Sequence, residues 1–488
     1  MKKLGILLLF LFIVAAVASV LWRKNRAIQP SLVITHVTLI DGTDSPPRPD
    51  STVVIKNQEI AAIGSSSSMD IPRHSRVIDA SGKFLIPGLC DMHVHLTGAG
   101  EPGGSREFIL PLLVANGITT VRDMGAEVQK LMQLRKEIDA EKRLGPQMFF
   151  TGPYLDGDPP AYQPSIVVRN AMEAREAVHS LKAQGVDFIK VQSRLGREAY
   201  FAIAEECRKE SIRFVGHVPD SVSAAEASNA GQTSVEHLTG VLLAVSSDEE
   251  ELRRQQLAPE PPGRTPEKGL ARSRAWQRRL LDTYSPEKEA ELESKFVENH
   301  TWQVPTFPIL VHFGFMTPRT DLAEDPRMVY VPRRLREIWE QGRKERMEHR
   351  TEADFNLLEE IVQRSLEIVG RMKSAGVGIL AGTDIAAPNV FPGSSLHEDL
   401  VYLTRAGLTP REALAAATSE AARFLGRSAE QGTIEPGKRA DLVLLDANPL
   451  EDIQNTQKIY AVVLRGKLLT REVLDSLLES ARKSAANN

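Results

Sequence analysis

The sequence predicts an α/β protein: a (β/α)8 TIM-like barrel with a small β-sandwich domain built from both chain ends, and an apolar helix at the N-terminus. Three observations predict it. Short apolar runs alternate with helix-length amphipathic stretches through the middle of the chain. Strand-rich blocks flank that middle on both sides. Histidine, lysine and aspartate side chains stand at the ends of successive apolar runs, where a barrel gathers groups onto one face. The 488 residues are enough for one barrel-sized domain and a smaller one. No segment repeats at a fixed period, which argues against a solenoid.

In chain order, residues 1–30 read as an export segment and linker. Lys2 and Lys3 precede an uninterrupted apolar stretch from Leu4 to Trp22, which "RKNR" follows. Its helical rise spans roughly 28 Å, just enough for a hydrocarbon core. The expectation is a membrane anchor over residues 4–22 with the rest of the chain outside the cytoplasm; a signal peptide cleaved near Ala18 is the alternative. Residues 31–86 alternate apolar with polar in "SLVITHVTLIDG" and "STVVIKNQEIAAIG", broken by Gly, Pro and Asp, and read as the first part of the β-sandwich. "ADLVLLDANP" and "IYAVVLRGKLLT" have the same character within its second part, 431–475, and residues 476–488 read as a polar tail.

The barrel is expected over residues 87–430. Its strands are the run ending at His95, then "GITTVRDMG", "QMFFTGPYL", "VDFIKVQ", "RFVGHV", "SVEHL", "WQVPTF" and "VGILAGTD". Between them, "NAMEAREAVHSLKAQG" and "REAYFAIAEECRKES" have helical apolar spacing. Residues 245–300 are charge-dense, and Ser247 and Glu250 are spaced as a capping box. A solvated helical insertion is the plainer expectation there; a lid over the barrel mouth is the sharper one. The block from Pro326 to Gly376 is expected on the barrel exterior.

Bulk composition narrows the function classes. A net charge of -4 without a basic stripe argues against a nucleic-acid partner. Two cysteines, Cys90 and Cys207, cannot make a disulfide framework and read as buried thiols, with Cys90 on the strand face opposite His93. A homo-oligomer is left open.

His93 and His95 are one residue apart on a strand, so both imidazoles project from one face. Alone, H-x-H is weak. His217, His237 and Asp384 also end apolar runs, and strand ends of a barrel converge, so together these groups suit divalent metal, zinc above all. Lys190 ends the fourth run, where an ammonium beside two cations would be repelled. A lysine snorkelling to solvent or pairing with a carboxylate is the plain alternative. Carboxylation by carbon dioxide would instead make it a long anionic carbamate able to bridge two ions. Asp91 is read either as a support for an imidazole or as a buried structural carboxylate, and Asp123 as a bond to the barrel wall.

These residues resemble the amidohydrolase superfamily of metal-dependent hydrolases. The likeness rests on "PG-x-x-D-x-H-x-H", the strand-four lysine, two later histidines, the strand-eight aspartate and "G-x-I-x-x-G-x-x-ADLV" at Gly432 to Val443, and it covers about Ser31 to Thr470. "GITTVRDMG", "VDFIKV", "VPT", "AGTD" and "LTPREALAAAT" are similar to the imidazolonepropionase-related branch that includes Xaa-Pro dipeptidases. The resemblance implies two divalent ions, zinc by expectation. His93, His95 and Asp384 would hold one, His217 and His237 the other, and carboxylated Lys190 would bridge them. It further implies that water shared by the ions attacks a small amide or dipeptide, while Asp384 carries the proton to the leaving nitrogen. A cyclic amide, lactone or phosphotriester substrate is the alternative, and a non-catalytic binding protein on the same scaffold is the rival from another class. The turn after Lys190, "QSRLG", departs from the Gly-rich turn of related peptidases; Arg194 and Tyr154 are read as substrate contacts.

Overall fold

The computed structural model describes residues 31–97, 108–259, 265–314, 324–385 and 387–487. Among these residues no helix is long and apolar enough to cross a membrane, which corrects the membrane-spanning reading. The longest described helix, Glu352–Ala375, is interrupted by charged side chains along its length. The stretch 4–22, on which the anchor reading rested, lies outside the described residues.

The N-terminal block forms β1 (Leu32–Leu39), β2 (Arg48–Lys56), β3 (Glu59–Ser65), β4 (Arg76–Asp79) and β5 (Phe84–Pro87). The middle of the chain supplies β6 (Leu89–Val94), β7 (Ile118–Asp123), β8 (Gln147–Phe150), β9 (Tyr154–Asp156) and β10 (Ser165–Val167). It continues through β11 (Ile189–Val191), β12 (Phe214–Gly216), β13 (Ser234–Glu236) and β14 (Trp302–Val304). The C-terminal block adds β15 (Leu442–Leu445), β16 (Ile459–Leu464) and β17 (Lys467–Leu469).

Strands from the two chain ends share one eight-stranded sheet, ordered β17-β16-β15-β5-β1-β2-β3 with β4 also beside β1. The join is antiparallel: Leu442 to Leu445 of β15 lie opposite Pro87 to Phe84 of β5. β1 changes partner along its length, pairing with β4 from Leu32 to Thr35 and with β5 at Thr38 and Leu39. Ile34, Val53, Leu85, Leu442 and Val463 bury together in this sheet's own core.

The site is carried by parallel strands in two further sheets, β6-β7-β8 and β10-β9-β11-β12-β13-β14. The segment ending at Asp384 links them through parallel bridges, Gln303 with Ile379 and Val94 with Ile385. β8 and β11 do not pair, because β9 occupies the edge of β11, with Leu155 opposite Val191. Asp187 spans that gap: its N–H donates to the Phe150 carbonyl at 2.9 Å, and its carboxylate accepts from the Phe150 N–H at 2.9 Å. The ladders therefore form parallel sheets without closing a ring of eight paired strands. Met92, Phe149, Phe188, Val215, Val304 and Leu380 converge from separate strands into one apolar cluster, and Phe424 stacks on Phe188 at 5.8 Å. Cys90 belongs to that cluster too. The register of β6 shifts between Asp91 and Val94, so simple alternation does not relate Cys90 to His93.

Helices Glu249–Leu257, Pro266–Asp282 and Pro286–Glu298 make up most of the insertion. Forked ion pairs join it to helix Glu352–Ala375: Arg274 with Asp354 at 2.6 and 2.9 Å, and Arg278 with Glu360 at 2.7 and 2.8 Å. At the C-terminus, residues 476–487 belong to helix Arg471–Asn487 and not to a polar tail. Leu474, Ala481 and Ala485 bury one face of it, spaced seven and four residues apart as an apolar helix stripe requires.

Candidate metal centre

The imidazoles of the centre sit where parallel strands end. His93 lies near the end of β6 and His95 one residue beyond it; Lys190 is the middle residue of β11; His217 and His237 directly follow β12 and β13. His237 (φ 58), Asp384 (φ 66) and Thr306 (φ 50) have left-handed backbones, costly for residues with a Cβ. Three such residues in one place mark sharp turns that aim side chains inward. Asp91 fixes the backbone beneath: it accepts from the Thr383 hydroxyl at 2.6 Å, the Thr383 N–H at 3.1 Å and the His93 N–H at 3.2 Å. It therefore braces the β6 and Asp384 segments and holds no imidazole. Asp123 accepts from the Leu96 and Gly125 N–H groups at 2.7 and 3.1 Å.

Every imidazole of the set has its Nδ1 beside an acceptor. Nδ1–H of His93 donates to Glu236 Oε2 at 2.9 Å, and that of His95 to the Gly125 carbonyl at 3.1 Å. His217 donates to Ser193 Oγ at 2.8 Å, whose own hydroxyl donates to Gln192 Oε1. His237 donates to Thr306 Oγ1 at 2.6 Å, whose hydroxyl donates to the Pro305 carbonyl. This assigns one tautomer to all four rings and leaves each Nε2 with a lone pair.

Those lone pairs converge. His95 Nε2 and His93 Nε2 lie 3.0 and 3.4 Å from Asp384 Oδ1, and His237 Nε2 lies 3.7 Å from Asp384 Oδ2. His93, His95 and Asp384 form a group able to hold a metal ion. The His93 and His237 rings are 4.6 Å apart and the His217 and His237 rings 5.0 Å apart. Lys190 Nζ points into this group, 3.2 Å from His93 Nε2. Burial drives the His93 and His217 pKa values well below the usual imidazole range and takes His237 down to about 4, so all three rings are neutral at pH 7. Burial also lowers Lys190 to about 8, against the pull of Glu236 and Asp384.

The two residues read as substrate contacts part company. Tyr154 is buried against the centre, its hydroxyl 3.5 Å from His95 Nδ1 and its ring 5.3 Å from Lys190 Nζ. Arg194 is exposed; its guanidinium donates to the Pro159 carbonyl at 3.0 Å and its N–H to Asp156 Oδ1 at 2.8 Å, which braces the 157–162 loop. Sequence reasoning missed the supporting residues. Arg122 and Glu236 form a wholly buried ion pair at 2.9 Å behind His93. Asp399 accepts from the Phe307 and Gly382 N–H groups at 3.0 and 3.1 Å, joining the chain beyond β14 to the segment that carries Asp384. The available signal was a charged residue inside an apolar run, as in "TTVRD" and "TSVEH".

Fold and centre together define an α/β protein with a group able to hold a metal ion near its parallel strand ends. The chain belongs to the amidohydrolase family, whose model matches residues 84–469. The imidazolonepropionase of Shouchella clausii is 37% identical over 106 residues, 20% of this chain and 23% of that protein. The chain thus aligns with about a quarter of the length of that curated relative. Among solved structures, a bottromycin amidohydrolase superposes with a TM-score of 0.73 at 21% identity, covering 95% of this chain and 96% of that one. A Xaa-Pro dipeptidase with bound methionine superposes at 0.64 and 20% identity, covering 90% and 100%. At such identities the superpositions establish the shared fold.

Proposed function

We propose that this chain is a binuclear metal-dependent hydrolase cleaving a C–N amide bond in a dipeptide or similarly small amide. The reading rests on the inward lone pairs. With Nδ1–H groups already donated, His93 and His95 turn acceptor atoms toward a carboxylate oxygen at 3.4 and 3.0 Å. Such an arrangement favours a cation among the three groups, which the Lys190 ammonium supplies in part, 3.2 Å from His93 Nε2, and which a metal ion would supply in full. Imidazole and carboxylate are ligands that zinc accepts, so the residues fit the ion. His93, His95 and Asp384 would hold one ion, and His217 and His237 the other. Lys190, as its carbamate, would lie between them. Bound there, the ions would supply Lewis acidity and bring the pKa of a water down to about 7.

The chain's own groups do the rest. Asp384 takes a proton at Oδ2, the oxygen turned toward His237, and passes it to the leaving nitrogen. Tyr154 walls one side of the centre against His95. With burial lowering its pKa to about 8, Lys190 would be a free amine in a minor fraction of molecules at pH 7, enough to capture carbon dioxide. Members of the fold named for dipeptide and amide hydrolysis support the substrate class. In this reading β6, β7, β8, β11, β12, β13, β14 and the 377–385 segment act as one eight-stranded barrel.

Metal analysis beside a dipeptide-library hydrolysis screen tests the proposal. Two divalent ions per chain are expected, with hydrolysis falling about 10²–10⁴-fold in Asp384→Asn. Wild-type protein that takes up no divalent ion would sink it, as would an Asp384→Asn variant with undiminished hydrolysis.

A further inference from the structure

His93 is backed by a carboxylate at Nδ1. His95 leans on a backbone carbonyl, and His217 and His237 on the Ser193 and Thr306 hydroxyls. The carboxylate is Glu236, fully buried and fixed from three directions. Arg122 Nη2 donates to both of its oxygens at 2.9 and 3.0 Å, and Ser234 Oγ donates to Oε1 at 2.6 Å. Arg122 is itself pinned, with Nε donating to the Met92 carbonyl at 2.7 Å and Nη1 to Ser234 Oγ at 3.1 Å. The forked contact holds the carboxylate rigid while its second oxygen remains an acceptor for the ring.

A pinned anion on Nδ1–H fixes the ring's tautomer and orientation and makes Nε2 a better donor. A hydroxyl that is already donating elsewhere does so less. Asp384 adds a second anion on the same side of the centre, within 3.4 Å of both His93 and His95. We infer that Glu236, clamped by Arg122, is a positioning residue for His93, and that the two metal positions are consequently unequal: the ion on His93, His95 and Asp384 is held tightly, and the ion on His217 and His237 is the one readily lost. This rests on the binuclear reading above and adds an order of release to it.

Chelator competition on the zinc-loaded protein tests the inference, together with ¹⁵N spectra of the histidine side chains in the metal-free protein. Wild type is expected to release its ions in two steps. Glu236→Gln should weaken the tighter ion about 10–100-fold and shift the His93 Nδ1 resonance. Thr306→Val should weaken only the ion released first, and this arm decides the matter if Glu236→Gln does not fold. Release of both ions in one step, or a Glu236→Gln variant whose tighter ion is unchanged, overturns the inference and leaves the binuclear reading standing. Wild type that takes no zinc overturns both.

Discussion

At the scale of single residues, what matters is how little room surrounds the ligands. Gly125 carries the carbonyl that receives His95 Nδ1–H, and a Cβ there would lie 2.2 Å from Tyr154 Cε1 and 2.5 Å from its hydroxyl oxygen. Tyr154 is backed by Lys190 and His95, so the clash would pass into the centre. Gly125→Ala is therefore expected to cost about 1–3 kcal/mol of overpacking and to weaken metal binding at least tenfold. Gly196→Ala, where a Cβ meets nothing within 4 Å, is the matched control. Equal metal affinity in the two variants, measured by chelator competition, would show that Tyr154 can move aside. The convergence of these side chains was legible in the sequence because each stands at or near the end of an apolar run, and a polar group there has few structural reasons to be present. Arg122 and Glu236 were not legible. A charge inside a strand looks the same whether it faces solvent or is paired across a buried interior; only the fold brings residues 114 positions apart within 2.9 Å.

At the scale of elements, the contact between helix Glu352–Ala375 and the end of helix Ser394–Arg405 is set by one glycine. A Cβ on Gly370 would lie 1.9 Å from the Ala406 carbonyl oxygen. Mid-helix Gly→Ala ordinarily stabilises by roughly 0.5–1 kcal/mol. Here the clash with backbone wins, and Gly370→Ala should instead lower stability by about 2 kcal/mol, read as a shifted urea midpoint. A stabilised variant would mean that the two helices separate easily. The later parallel strands were legible at this scale: "VDFIKVQ", "RFVGHV" and "SVEHL" contain β11, β12 and β13. The expected strand "QMFFTGPYL" is broken at residues 151–153 into β8 and β9, of which β9 takes the edge of β11, and the Pro- and Gly-rich stretch beyond hid β10. Helix Arg471–Asn487 was hidden because two of its three buried residues are alanines, too small to register as an apolar stripe.

At the scale of the whole molecule, a single buried histidine joins segments far apart in sequence. His397 Nδ1 lies 2.9 Å from Thr456 Oγ1, and its Nε2–H donates to the Asn116 carbonyl at 3.1 Å. Burial takes its pKa down to about 4 from the ordinary 6.5, outweighing the Asn116 carbonyl and Glu398, which favour the cation. The unfolded chain therefore binds this proton at higher pH than the folded one, so stability rises with pH across the window from about 4 to 6.5. The contribution is complete above pH 6.5 and is lost as the pH falls toward 4, at up to about 1.4 kcal/mol per pH unit. Across the window that amounts to on the order of 3 kcal/mol. His397→Asn should be less stable than wild type at pH 7.5, yet show a shallower loss on acidification. Urea unfolding of both proteins from pH 7.5 to 4.5, with chelator present so that metal release does not contribute, measures the two slopes. Parallel slopes would mean that His397 keeps its proton equilibrium on folding, and that acid sensitivity arises elsewhere.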